Sequence, residues 1–244
     1  MSKKIQVTNL DGDKLKVMSP YFHYNRSMNF KGINTVVLHW TAGNSVSNDI
    51  KSLNRNKYGY HFLISKDGVV TQGAPLESRL SHSGNSYGPK GKGLNNYSIG
   101  VSFSMRGDES KVKGSTKFND EQINSLVSLL LDLKLAIPTL EYVTGHHWVS
   151  PGRKIDPYTL DFDRLINKNI GGDTLSGVGY SIWKTAQSPF PKGLSNCNCV
   201  ERDTSGGCVK STGLCKGQGG YSYSERQLST KISDISFGSD LDTE

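Results

Sequence analysis

The stretch GINTVVLHWTAG, Gly32 to Gly43, decides how the chain is to be read. Thr35-Val36-Val37-Leu38 is a short apolar, β-branched run between two glycines, and so reads as a buried strand directly followed by a histidine, His39. Working outward, Ser47 to Lys57 has the pattern of a modest helix stopped by Gly59, and Tyr60 to Ser65 is a second strand. Lys66-Asp67-Gly68 is a turn into Val69-Val70-Thr71, a hairpin signal, and Ser98 to Phe103 is a further strand. Asn119 opens a long helix. Gln122 three residues on completes a capping box, and Ile123, Leu126, Val127, Leu130 and Leu133 form one apolar stripe. Leu140 to Thr144 is a short extended run, and Asp161 caps a last short helix through Leu165-Ile166. Helices and strands alternate and at least one hairpin is present. The predicted class is therefore α/β, with a mixed central sheet flanked by helices.

Composition divides the chain. It has 244 residues and only 34% hydrophobic content, low for one globule of that size, so part of it should be sparsely packed. Residues 170–244 hold 12 glycines and 12 serines, and their seven basic and eight acidic residues nearly cancel. The net charge of +7 thus belongs to the part before Ile170 and favours an anionic partner: nucleic acid, membrane surface or cell wall. We read an N-terminal arm over 1–30, a folded domain over 31–169 and a Gly/Ser-rich extension over 170–244. No run of about 18 apolar residues is present, which argues against membrane insertion. Met1 to Ile5 is followed by polar residues instead of a signal-peptide core, so the expectation is a chain without an ordinary secretion signal.

A second stretch, GHHWVSPGRKIDP from Gly145 to Pro157, gathers two histidines, Lys154 and Asp156. His39 and His146 each follow an extended run. Two imidazoles at strand ends and a carboxylate make a three-ligand zinc set with one open position, as hydrolysis requires. Asp156 precedes Pro157, which favours an extended backbone and would turn Lys154 and Asp156 to one side. There the lysine could stabilise an oxyanion. The spacing is no local ligand pattern such as HExxH, so the residues alone leave a metal centre and ordinary hydrogen-bonded histidines both open.

Four segments taken together are more specific. VVLHWTAG (36–43), YHFLISKDG (60–68), NNYSIGVSF (95–103) and GHHWVSPGRKIDP occur in an order and spacing that resembles zinc-dependent N-acetylmuramoyl-L-alanine amidases. This amidase-2 family includes phage lysozymes of the amidase type and the peptidoglycan-recognition proteins, and the resemblance covers roughly Lys31 to Asn169. It implies a peptidoglycan hydrolase that cleaves the amide between N-acetylmuramic acid and L-alanine with zinc-activated water. Carried over by position, the metal ligands are His39, His146 and Asp156, and the catalytic residues Tyr60 and Lys154. His146 and His147, in an extended segment, would point opposite ways; we take His146 as the ligand. His82 and Asn96 fall at positions expected to bind substrate. Some bacterial members carry a glutamate where this chain has Ser102, so that carboxylate is not the general base here.

The extension is outside the resemblance. Cys197, Cys199, Cys208 and Cys215 are its only cysteines, and without a secretion signal a second, structural zinc competes with two disulfides and with free thiols. Its lack of net positive charge argues against nucleic acid. Two roles follow for the whole chain. One is a phage endolysin made in the host cytoplasm and acting on the cell wall. The other is a virion component, docked to phage structural proteins through the extension and carrying the amidase for wall penetration.

Overall fold

The computed structural model describes residues 15–24, 26–106, 117–151 and 153–185, together with the backbone of two strands at 198–202 and 208–212. In chain order the elements are β1 (Leu15–Val17), β2 (Thr35–Trp40), α1 (Val46–Arg55), β3 (Phe62–Ile64), β4 (Val70–Gln72), β5 (Tyr87–Gly88), β6 (Gly91–Lys92) and β7 (Ser98–Phe103). There follow α2 (Asp120–Ala136), β8 (Tyr142–Gly145), α3 (His146–Val149), α4 (Phe162–Ile166), β9 (Ser181–Ile182), β10 (Asn198–Arg202) and β11 (Cys208–Thr212). Seven strands form one sheet in the order β1-β4-β3-β7-β2-β8-β9. The run from β3 to β9 is parallel, and the β3–β4 hairpin reverses the direction. The predicted mixed sheet with flanking helices is the observed architecture.

The central strands β2 and β7 are buried along their whole length, as parallel strands covered on both faces must be. They lie in register with His39 opposite Ser102, so those side chains share a face. α2 covers the sheet. Its capping box is formed: Asn119 Oδ1 accepts from the Gln122 amide, and the Gln122 side chain accepts from the Asn119 amide. The expected stripe is buried, but so are Leu129, Leu131 and Asp132, because the helix is covered on further sides. Each such leucine contributes roughly 1.5–3 kcal/mol by burial.

The sheet extends beyond the boundaries read from composition. In the segment taken as an N-terminal arm, β1 pairs with β4, and Phe22 lies against Gly59 and Gly73, where a Cβ would come within 2.8 and 2.6 Å of it. Only glycine admits that ring, and Gly59 leads directly into Tyr60. At the other end, residues 170–185 are part of the body. Leu175 and Tyr180 are buried in the main core, the Tyr180 hydroxyl donates to the Leu130 carbonyl at 2.9 Å, and β9 pairs with β8. The glycines at 171 and 172 form a turn closed by hydrogen bonds between Ile170 and Asp173. Among the described residues no helix is long and apolar enough to cross a membrane.

Of the four cysteines, Cys199 lies in β10 opposite Ser211, and Cys208 in β11 opposite Arg202. Cys197 and Cys215 lie outside the described residues. A second zinc, one of the three states the sequence leaves open for these cysteines, has no support.

Candidate metal and catalytic site

His39 lies inside β2, not after it, and is fully buried. β8 ends at Gly145, and His146 begins a single helical turn, α3. That turn corrects the extended reading of the two histidines, so strand alternation does not decide between them. In a helical turn, adjacent side chains diverge by about 100°. His146 turns to His39, their Nδ1 atoms 3.0 Å apart. His147 turns to Trp148 and Phe162, and both its amide and its Nδ1 donate to the Asp156 carbonyl at 2.9 and 3.2 Å. His147 thereby clamps the backbone that carries the carboxylate.

Asp156 Oδ2 lies 3.1 Å from His39 Nδ1 and 3.2 Å from His146 Nδ1. The three residues form a buried group that could hold a metal ion. The segment around Lys154 and Asp156 is a run of turns, with the amides of Arg153 and Lys154 both donating to the Ser150 carbonyl, so the two-residue alternation expected there does not apply. Lys154 is half-buried, and its charge, with that of Arg153, is felt at His39. The Tyr60 ring is half-buried, its centroid 4.9 Å from that of His39.

Burial holds His39 below the ordinary imidazole value and His146 down at about 3, so both rings are neutral near pH 7, each with one ring proton. The proton of His146 is placed by its partner. Nε2 lies 3.1 Å from the Ser83 carbonyl, which can only accept, so Nδ1 presents a lone pair to the group. Lone pairs and a carboxylate this close repel unless a cation or proton sits among them. Separations of 3.0–3.2 Å are near the roughly 3.3 Å between ligand atoms of a tetrahedral zinc with bonds of about 2.0 Å. The donor set fits a zinc ion.

The other predicted residues divide. His82 is buried beneath the metal group and not in an open groove: its Nδ1 lies 3.1 Å from His39 Nε2. Asn96 is exposed and bound to Arg26 and Arg79, at 2.7 and 2.9 Å. Its neighbour Asn95 is the asparagine that reaches the site. Asn95 Oδ1 accepts from the amides of His82 and Ser83 and from the Ser83 hydroxyl, at 3.2, 2.9 and 2.8 Å. Arg153 donates to the carbonyls of Ser83 and Asn85 and joins this loop to the α3 side of the site. Asn95, Ser83 and Arg153 were not singled out from the sequence; the paired asparagines were the available signal for Asn95. Ser102 Oγ, on the His39 face of β7, is buried with no hydrogen-bond partner among the described residues.

The family model described as N-acetylmuramoyl-L-alanine amidase matches residues 29–159, more than half of the chain. The endolysin of Escherichia phage T7 is 38% identical over 111 residues, 46% of this chain and 65% of that protein. The 1,6-anhydro-N-acetylmuramyl-L-alanine amidase AmpD of Enterobacter cloacae is 32% identical over 96 residues, 39% of this chain and 48% of AmpD. The matched region thus spans less than two thirds of these relatives. Among solved structures, the E. coli N-acetylmuramyl-L-alanine amidase AmiD, in complex with an anhydro-N-acetylmuramic acid peptide, shares the fold with a TM-score of 0.51. The likeness has 21% identity and covers 70% of this chain and 64% of AmiD.

Proposed function

The chain belongs to the N-acetylmuramoyl-L-alanine amidase family, and from that premise we propose that it is a zinc-dependent peptidoglycan hydrolase that cleaves the amide between N-acetylmuramic acid and L-alanine. The observation that carries this reading is the convergence of His39, His146 and Asp156, buried beside Tyr60, within the region the family model matches. When bound by these three residues, zinc supplies Lewis acidity for amide hydrolysis. Tyr60, half-buried with its ring against His39, orients water or takes part in proton transfer. Lys154, in the turns after Ser150 and with its charge felt at His39, stabilises negative charge developing on the scissile carbonyl oxygen. Ser102 stands where a carboxylate base would lie in some relatives, and the proton-handling role therefore falls to Tyr60. The excess of basic residues before Ile170 suits an anionic wall. The phage endolysins among the relatives favour a lysis enzyme over a docked particle component.

Incubation with purified peptidoglycan should release L-alanine amino termini, stop with chelator and resume with zinc. Lys154→Ala should lower kcat by about 10²- to 10³-fold while leaving zinc bound. Full activity in His39→Ala would overturn the metal assignment, and reducing sugars in place of amino termini would make the protein a glycosidase.

A further inference from the structure

β7 presents Ser98, Gly100 and Ser102 on one face by strand alternation, and the His82 ring lies over the first two. Gly100 makes that possible: a Cβ there would stand 2.8 Å from His82 Cγ and Nδ1. The Leu94 carbonyl ends a chain of hydrogen bonds whose direction is determined. Ser98 Oγ donates to Leu94 O at 2.6 Å, which uses its one proton. At 3.2 Å from His82 Nε2 it can then only accept, so His82 carries its proton on Nε2. Buried between His39 and His61, His82 is a neutral ring with a single proton, and Ser98 takes it. His82 Nδ1 is thus an acceptor, and the proton between it and His39 Nε2 belongs to His39. His39 Nδ1 is left with its lone pair directed at His146 and Asp156.

We propose that His82, set by Ser98, is a positioning residue that fixes the tautomer and ring orientation of His39 and so presents His39 Nδ1 to the metal. The role replaces the substrate contact expected of His82. It rests on the zinc reading given above. One short segment then serves both imidazole ligands, since His146 is oriented by the Ser83 carbonyl and His39 by the adjacent side chain. Asn95 holds that segment through three donors.

The test uses the full chain and zinc competition with a chromophoric chelator, with urea unfolding of the metal-free variants as a control for folding. His82→Ala should bind zinc about 10- to 100-fold more weakly, the usual effect of losing a ligand's hydrogen-bond partner. His82→Asn, whose Oδ1 can stand in for Nδ1 as acceptor, should recover most of that loss, which a merely space-filling role would not require. Zinc affinity in His82→Ala equal to that of the unaltered chain would overturn the proposal. Should His82→Ala not fold, nitrogen-15 NMR of the metal-free unaltered chain decides. A proton on His39 Nε2 supports the role, and a proton on Nδ1 overturns it. An unaltered chain that binds no zinc would instead remove the metal reading, and the NMR experiment would still settle the tautomer.

Discussion

His61 shows what a buried imidazole contributes when it is not offered to the metal group. Its Nε2 donates to the Ser78 carbonyl at 2.9 Å, and its Nδ1 accepts from the Gly100 amide at 3.0 Å, so the neutral ring is fully used. Burial pushes its pKa down to about 4. Between the ordinary value near 6.5 and about 4, the unfolded chain binds a proton that the folded chain refuses, so stability is full above that window and falls as pH falls through it. The slope from this one group is about 1.4 kcal/mol per pH unit. His147, also lowered to about 4 by burial, adds to it. The urea midpoint should therefore drop from pH 7 to pH 5, and less steeply in His61→Gln; a midpoint independent of pH would refute this account. At this scale the sequence was legible where four motifs acted together, as at His39, His146 and Asp156. His82 was not, because a lone loop histidine carries no periodic signal and its partners, Ser98 and His39, are distant in the chain.

Among the elements, α2 was the most legible, since a capping box and a 17-residue apolar pattern are local features. Asn119→Ala removes the acceptor for the Gln122 amide and should cost about 1 kcal/mol of unfolding free energy, measured by urea titration. A change below experimental error would show that solvent replaces the cap. β7 matched its expected limits, Ser98 to Phe103, because apolar residues and small ones are confined between clear turns. α3 did not. Four residues form just over one turn, too few for a 3.6-residue period to show, and what bends the chain there is the packing of His147 on Trp148 and Phe162. β1 was likewise missed, since three residues have no pattern of their own and are ordered by pairing with β4.

For the whole molecule, the rise in glycine and serine after Asn169 was taken as the end of the fold, yet Leu175 and Tyr180 are core residues within that stretch. Composition averages over such anchors, and two buried side chains suffice to hold a segment that is otherwise polar. Burying one leucine typically decides 2–5 kcal/mol, a large share of the 5–15 kcal/mol by which domains are stable. The two margins of the main sheet are closed by very short strands, β1 of three residues and β9 of two. Short margins leave few unpaired amides and carbonyls for another molecule to extend. Stopping the chain at Asn169 would remove β9 and bare β8, next to His146, as a template for strand addition. Such a fragment should self-associate in light scattering and melt earlier, whereas one ending at Thr185 should scatter no more than the full chain. What looked like the start of a linker is, in these terms, the guard against intermolecular sheet growth.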